Sequence, residues 1–389
     1  MGYVAVHGGG KAIEESLKLL EYERVSTSSP WSTDEIEGAF PELVDQVMGE
    51  ASLYAPRLAA LALKQAQGSP DEAVFLLRAF RSTLERPYVS RPVDTGEMRV
   101  ARRVSAAFKD VPGGQLLGAT RDYSHRLLAF DLETEGPEEL AEKRAELAAH
   151  FDEASAGAGA SATLPRVLDY LRAQGLVPSV APDDAEPVDA TMVPLTFPAP
   201  RSVRLQTLAR GMTQAVEALG YAAIRGFGPA HPTVGELRQG RVAVAVDHPL
   251  EPGGVDNAYY LGSLPVTEVE SVFMSEGDGA EDGLSLAIGY GCVLGRAETK
   301  AIAMSVLDRC LELGDKRYPT EDEEFVLYHV DGVEATGFIS HLKLPHYVTF
   351  QSKLSSVRGT RNADDGDQAA DQAAAAALEA KEATDAAAL

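Results

Sequence analysis

The hydrophobic pattern of the chain changes near residue 190, and this change constrains the fold more than any other feature. Earlier segments such as 69–87 (SPDEAVFLLRAFRSTLERP) have apolar residues at helical spacing, with Ser69 as the N-cap and Pro87 as the stop. Later segments alternate or run as strands do: 241–248 (RVAVAVDH), 284–291 (LSLAIGYG) and 324–330 (EFVLYHV). The pattern predicts an α+β protein, with a helical N-terminal region followed by a C-terminal α/β domain built on a mixed sheet.

An acidic, proline-rich stretch at 181–189 (APDDAEPVD) marks the expected domain boundary. We predict a mainly helical domain over residues 1–180 that begins with a short strand at 3–6, a mixed α+β domain over 190–357, and a disordered tail over 358–389. Residues 359–389 include seven acidic and two basic side chains and almost no bulky apolar one. Burial cannot offset the entropy of ordering such a segment, although a frayed alanine-rich helix is the alternative.

The charge and the cysteine count exclude several classes of protein. A formal net charge of −24 disfavours nonspecific binding to nucleic acid or to an anionic membrane, since both require a positive field. The chain has no long apolar run and its start does not resemble a secretory signal, so we expect a cytoplasmic protein without a membrane span. Because there are only two cysteines, any metal must be held mainly by histidine and carboxylate, or by a partner chain.

Three glycine-rich stretches are candidates for backbone contacts to an anion. Residues 7–10 (HGGG) form an expected turn before a helix, but Ala12 stands where a P-loop needs Ser or Thr. Residues 109–130 contain one proline and three glycines on either side of a short apolar run. They are Pro112, Gly113, Gly114 and Gly118. Residues 289–295 follow G-x-G-x3-G, one residue longer than the dinucleotide fingerprint. For each stretch a structural turn is the alternative to an anion contact.

Residues 224–240 (IRGFGPAHPTVGELRQG) collect charged and polar side chains within a short length, among them Arg225, His231, Glu236 and Arg238. The stretch is typical either of a hairpin with exposed charges or of a substrate-binding loop. The sequence alone leaves both interpretations open.

Two of the eight histidines, His341 and His346, lie close together in residues 337–350 (GFISHLKLPHYVTF). Neither a helix nor a strand would bring both rings to one ligand at this spacing, but Pro345 favours a turn, which can. Two histidines with a carboxylate would suit zinc or iron, and Asp331 and Glu334 precede them. A pair of histidines in a surface turn is the alternative, because no third ligand can be identified.

Several motifs in the same order carry a resemblance to a known family. They are YVAVHGGGKAIEES (3–16), KDVPGGQLLGATRDYSHRLL (109–128), IRGFGPAHPTVGELRQG (224–240), GYGCVLGRAETKAIAMSVLDR (289–309) and DEEFVLYHVDGVEATGFISHLKLPHYVTFQ (322–351). From residue 3 to about residue 353 the chain resembles PhnI, a family of core subunits of the bacterial carbon-phosphorus lyase complex.

The resemblance implies a transferase subunit in phosphonate catabolism. With PhnG, PhnH and PhnL, such a subunit lets an alkylphosphonate displace adenine from C1′ of MgATP, giving α-D-ribose 1-methylphosphonate 5-triphosphate. Alone it resembles a nucleosidase that releases the base from purine nucleoside triphosphates. The resemblance also implies a two-fold symmetric core with two copies, with the radical iron-sulfur subunit PhnJ and with PhnK as further partners.

The resemblance further implies that His341 and His346 are zinc ligands, near the iron-sulfur partner. The implied reaction needs cationic or backbone donors for the triphosphate, an acid for the departing purine and carboxylates for a ribosyl cation. We expect the triphosphate contacts at Arg225, Gly226, Gly228, Arg296 and Lys300, acid-base work at His231 or His329, and cation stabilisation at Glu323 or Asp331. The alternative is a scaffold subunit that closes a shared metal site while the partner carries the chemistry.

Overall fold

The first part of the chain is helical, as its pattern predicts. The computed structural model describes residues 9–26, 30–155, 164–177, 185–228, 231–251, 253, 257–276 and 284–361. Its first helices are α1 (Gly9–Arg24), α2 (Thr33–Ala39), α3 (Pro41–Ala51), α4 (Pro56–Gln65) and α5 (Pro70–Arg81). The Ser69 hydroxyl accepts a hydrogen bond from the backbone N–H of Glu72, which confirms the predicted cap of α5. Helices α2 to α5 share one apolar core.

The remaining helices flank or follow a sheet. They are α6 (Pro137–Ser155), α7 (Asp169–Ala173), α8 (Arg201–Arg210), α9 (Thr213–Ala222), α10 (Glu298–Leu313), α11 (Glu323–His329), α12 (Gly332–Ser340) and α13 (347–361). A π-helical turn, Ala223–Phe227, continues α9. Gly314 ends α10 in the left-handed conformation, as expected of a glycine after a helix. In the described part of the chain, no helix combines the length and the apolar character needed to cross a bilayer.

Within the described residues the sheet has four strands in chain order, β1 (Arg99–Val104), β2 (Thr233–Asp247), β3 (Ala258–Glu276) and β4 (Leu284–Leu294). Every neighbouring pair is antiparallel, so the α+β class is confirmed but the expectation of a mixed sheet is wrong. The reason is connectivity. Only ten residues separate β2 from β3 and only seven separate β3 from β4, whereas a parallel pair would need a crossover of about a dozen or more residues.

The segment 324–330 (EFVLYHV), expected to be a strand, is helical. It forms most of α11, and the carboxylate of Asp322 caps this helix by accepting from the backbone N–H of Phe325 at 3.0 Å. The buried residues Val326, Leu327 and Val330 recur at helical spacing. The apolar run was too short for its period to distinguish a strand from a helix.

Helix α10 packs against β4 with its backbone close to that of the strand. A Cβ added at Gly289 would lie 2.0 Å from the carbonyl oxygen of Ser305, and one added at Gly291 would lie 2.0 Å from that of Ala301. These glycines therefore lie inside a strand and permit close packing of the helix, and they do not form a turn at the start of the helix. Their spacing has a packing explanation.

The chain divides into two compact units, residues 30–335 and residues 1–29 with 336–389. In the larger unit, β1 pairs with β2, although the two strands lie on opposite sides of the expected boundary at 181–189. In the smaller unit, Gly9 and Gly10, expected in a turn, begin α1, and residues 358–361, expected in the tail, end α13. The expected strand at 3–6 and the rest of the tail lie outside the described residues.

Candidate functional site

A cavity of about 460 Å³ lies in the larger unit, between α8, α11 and the segment 188–196. Its walls combine apolar and polar groups, and its polar side chains are those of Arg78, Arg210, Asp331 and Glu334 with the hydroxyls of threonines and of Tyr328. The size and the mixture of apolar walls with a few polar groups are typical of small-molecule sites. This cavity is our candidate functional site.

Arg78 and Asp331 form the ionic part of the cavity wall. Nη1 of Arg78 donates to both carboxylate oxygens of Asp331, at 2.8 and 3.0 Å, and its Nε and Nη2 donate to the backbone oxygens of Glu50 and Arg210. The Asp331 carboxylate also accepts from the N–H groups at the start of α12, from Val333 at 3.0 Å. Burial opposes its ionisation, but the charge of Arg78, the hydrogen bonds from Arg78 and from the N–H of Glu334, and the charge of Arg210 together outweigh burial and hold the pKa of Asp331 below its ordinary value.

Arg210 lies beside this pair without a carboxylate of its own in the described part of the chain. Its Nη1 donates to the backbone oxygen of Ala190 at 2.9 Å, and its Nε is buried without an acceptor. Burial and the positive charge of Arg78 lower the pKa of Arg210 to about 10. Arg210 was not among the residues expected from the sequence, because nothing in its local motif sets it apart from the other arginines of its helix.

The structure brings only one of the four expected catalytic residues to the cavity. Asp331 lines it. Glu323 lies on α11, where its carboxylate accepts from the N–H of Ala199 at 2.9 Å. His329, at the end of the same helix, is exposed, with its ring 4.3 Å from the ring of Phe325. His231 is exposed two residues before β2 begins.

The five expected triphosphate contacts are also dispersed. Arg225 is exposed and lies over the ring of Tyr221, with Gly226 next to it at a φ of 113°. Gly228 follows the same turn, and a Cβ added at this glycine would lie 2.9 Å from the hydroxyl oxygen of Thr320. This turn lines neither that cavity nor a second one, beside which Arg296 lies.

Arg296 and Lys300 have partners within the protein. Nε of Arg296 donates to the Asp45 carboxylate at 2.9 Å, beside a second cavity of about 460 Å³. The Lys300 side chain is buried, and its ammonium donates to the backbone oxygen of Gly211 at 2.7 Å. Burial lowers the pKa of Lys300 to about 8. Both cations therefore already donate hydrogen bonds to oxygen atoms of the protein, and this arrangement does not leave either of them for a phosphate.

His341 and His346 belong to the smaller unit, and their ring centroids are 5.5 Å apart. Nδ1 of each ring lies within hydrogen-bonding distance of a backbone carbonyl oxygen, that of Phe338 for His341 and that of Leu344 for His346. Because a carbonyl only accepts, both Nδ1 atoms carry the proton and both Nε2 lone pairs are left for a metal. Two imidazoles fit zinc, but no group of three or more metal-binding side chains occurs among the described residues.

A buried ionic layer on one face of the sheet was missed by the sequence reasoning. Nε of Arg103 donates to Glu236 at 2.6 Å, and Arg238 pairs with Glu268, all four side chains being almost fully buried. Glu236 and Arg238, considered as exposed hairpin charges, are therefore inside. The sequence did contain a signal for this layer. Charged residues stand two positions apart on β2, and Glu268 and Glu270 repeat this spacing on β3. Residues two apart in a strand point to the same face of the sheet.

Comparison with known proteins gives one family for nearly the whole chain. Residues 2–364 match the model of the family described as bacterial phosphonate metabolism protein (PhnI). A putative C-P lyase subunit protein, HtxH, from Stutzerimonas stutzeri is 44% identical over 93% of this chain and 96% of its own length. Proteins named alpha-D-ribose 1-methylphosphonate 5-triphosphate synthase subunit PhnI are similar at the same level. The one from Rhizobium meliloti (strain 1021) is 43% identical over 94% of this chain and 97% of its own, and the one from Escherichia coli (strain K12) is 44% identical over 92% and 97%.

Proposed function

The chain belongs to the PhnI family of bacterial phosphonate metabolism proteins, and we propose that it is the subunit of a synthase that makes α-D-ribose 1-methylphosphonate 5-triphosphate. The observation that carries the proposal is the similarity over more than nine-tenths of the chain to two relatives named as this subunit. In the proposed reaction an oxygen of the alkylphosphonate forms a bond to C1′ of MgATP while the bond from C1′ to adenine breaks. The enzyme is then a transferase, and it acts in phosphonate catabolism.

Asp331 is the best placed of the expected acidic residues for this reaction. Departure of the purine leaves positive charge at C1′, which a nearby ionised carboxylate stabilises. Asp331 lines the cavity, and Arg78 keeps it ionised at neutral pH. The carboxylate of Glu323 is instead engaged by the backbone of Ala199. His231 and His329 are both exposed, and Nδ1 of His329 lies 2.7 Å from the backbone oxygen of Phe325, so each histidine remains a candidate proton donor to the purine.

We also propose a zinc site to which this chain contributes His341 and His346. The free Nε2 atoms supply two nitrogen ligands, and a partner subunit or the substrate supplies the rest. The apolar side chains around the pair support a partner there: Phe338, Ile339, Leu342 and Val348 are 61–75% exposed. PhnJ, PhnG, PhnH, PhnL and PhnK are the proposed partners, in an assembly with two copies of this chain. In the second candidate function, this subunit is mainly a scaffold, and the incomplete histidine pair is the observation that favours it.

The proposal is tested by measuring free adenine. The purified chain, assembled with PhnG, PhnH and PhnL, is incubated with MgATP with and without methylphosphonate, and the same assay is run on the chain alone. We expect adenine release that depends on methylphosphonate in the assembly, and slow release from MgATP by the chain alone. No adenine above background in either sample would contradict the proposed reaction.

Asp331→Asn separates the two candidate functions. If Asp331 stabilises the ribosyl cation, the variant releases adenine about 100-fold more slowly, as expected when one electrostatic stabiliser is lost. Asp315→Asn is the matched control, because the Asp315 carboxylate is paired with the exposed Arg317 and Asp315 lines neither cavity. Circular dichroism establishes that both variants are folded. Undiminished activity of folded Asp331→Asn would favour the scaffold function.

A further inference from the structure

The cavity has more positive than negative charge in its immediate surroundings. Arg78 is neutralised by Asp331. Arg210 has no carboxylate partner in the described chain, and neither has Arg81, whose Nη1 is buried without an acceptor. The negative charge of Asp189 also acts on Arg81 and Arg210, but the Asp189 carboxylate is paired with Arg86. Two guanidinium groups are therefore left without a balancing anion.

Three further charged groups near the cavity do not change this balance. Lys300 is close to the buried carboxylate of Glu50, which favours its charged form, so these two largely cancel. Glu334 lies on the cavity wall but is exposed, where solvent screens its charge. The excess positive charge is therefore that of Arg81 and Arg210, of which Arg210 lines the cavity.

The guanidinium of Arg210 retains capacity for an anion. Only its Nη1 has an acceptor within the described residues, the backbone oxygen of Ala190, and a neutral carbonyl does not balance its charge. A guanidinium presents a planar set of donors that matches the oxygens of phosphate and phosphonate groups. The hydroxyl-bearing residues Thr191 and Thr207 line the same cavity and add hydrogen-bonding capacity.

The rest of the cavity suits an organic group. Its walls include the apolar side chains of Val193, Leu195, Val203 and Leu327 and the ring of Tyr328. Its volume, about 460 Å³, is far greater than an inorganic anion fills. A ligand that uses the whole cavity therefore has one anionic end and a larger, less polar body.

We propose that this cavity binds an organic phosphorus oxyanion, a phosphonate or a phosphate ester, with its anionic oxygens on Arg210 and its organic part against the apolar walls. The assignment deepens the proposed function and rests on it for the identity of the ligand, since both substrates of that reaction carry such a group. The cavity's charge and shape carry the assignment of the ligand class.

The test measures binding directly. The full-length chain is titrated by calorimetry with four probes: methylphosphonate, phenylphosphonate, MgATP and inorganic phosphate. We expect an organic probe to bind more tightly than inorganic phosphate, and Arg210→Gln to weaken that binding about tenfold or more, as expected when a charge-assisted hydrogen-bonding group is lost. Binding of the phosphonates identifies the site as that of the phosphonate substrate, and binding of MgATP identifies it as that of the nucleotide.

Arg201→Gln is the matched control. Arg201 lies on the same helix, but its guanidinium is paired with Asp308 and does not line the cavity. We expect this variant to bind the probes as the wild type does, and thermal melts monitor the folding of both variants. Arg210→Lys provides a second variant that keeps the charge, and we expect it to retain part of the affinity that Arg210→Gln loses.

Two results would overturn the assignment: equal affinity of the wild type and folded Arg210→Gln, or inorganic phosphate binding as tightly as every organic probe. These results are distinguishable from failure of the proposed function. If the chain binds no probe while the assembly releases adenine, the cavity assignment fails and the reaction stands. If binding depends on Arg210 while no adenine is released, the cavity assignment stands and the reaction fails.

Discussion

At the scale of single residues, burial decides what a charged side chain can do. Lys300 was expected to contact a triphosphate because it begins a helix after a glycine-rich stretch. Its ammonium is instead buried against the backbone oxygen of Gly211, with a pKa of about 8. The same local sequence would suit either arrangement, since a sequence motif does not state which side of a helix faces water.

Lys300 provides a prediction about stability and pH. Its folded-state pKa of about 8 is below its unfolded value of about 10.4, so between these pH values the unfolded chain binds more protons and stability rises with pH. The charge therefore destabilises the fold most below pH 8, and this penalty is lost as the pH approaches 10. We expect the free energy of unfolding of the wild type, relative to Lys300→Met, to rise by about 2 kcal/mol from pH 7 to pH 10.

Urea denaturation of both proteins at several pH values measures this difference. Comparison with Lys300→Met is necessary because burial raises the pKa of Cys292 and of Cys310, which makes stability fall above about pH 9 in both proteins. Arg317→Gln, which changes an exposed cation, is the control and should show no such pH-dependent difference. Parallel curves for the wild type and Lys300→Met would show that Lys300 has an ordinary pKa.

At the scale of secondary-structure elements, the local pattern identified one capped helix and two short strands but failed for one short apolar run. Helix α5 begins at its predicted cap, and the segments 241–248 and 284–291 contribute to β2 and β4 as expected. The short segment 324–330 contains beta-branched and aromatic residues, yet it is helical. Its cap at Asp322 and the core against which it packs outweigh the intrinsic preference of seven residues.

The packing of α10 on β4 gives a second prediction. Gly291→Ala places a Cβ 2.0 Å from the carbonyl oxygen of Ala301, and because the clash is with backbone, helix and strand must separate. We expect the variant to lose about 3 kcal/mol of stability in chemical denaturation. Gly38→Ala is the control: nothing lies within 4 Å of the added Cβ within α2, so it should be neutral or gain about 0.5 kcal/mol. Equal stability of the two variants would show that α10 does not pack this closely.

At the scale of the whole molecule, the division into two units separates the cavity from the histidine pair along the chain. The cavity belongs to residues 30–335, whereas His341 and His346 belong to the smaller unit. In that unit, α1 has no buried residue, and its apolar side chains Ile13, Leu17 and Leu20 are more than half exposed. Such surfaces are typical of a subunit that is completed by other chains.

The proposed zinc site gives a prediction for the assembled complex. We expect stoichiometric zinc in the wild-type assembly and its loss in the double variant His341→Ala, His346→Ala, because two imidazoles supply half of a tetrahedral set. Metal analysis after gel filtration measures this. His150→Ala is the control, since His150 is exposed and lies on α6. Zinc retained in full by the double variant would remove these histidines as ligands.

The sequence by itself determined the α+β class, the cap of α5, the family and the turn that places two histidines together. These follow from local periodicity, from residues with special backbone preferences and from motifs read in order. Only the tertiary structure decided the antiparallel sheet, the buried pairing of Arg103 with Glu236 and the place of Arg210 beside Asp331. The physical reason is that burial and charge pairing depend on residues far apart in the chain, such as Arg78 and Asp331, whose proximity no local pattern records.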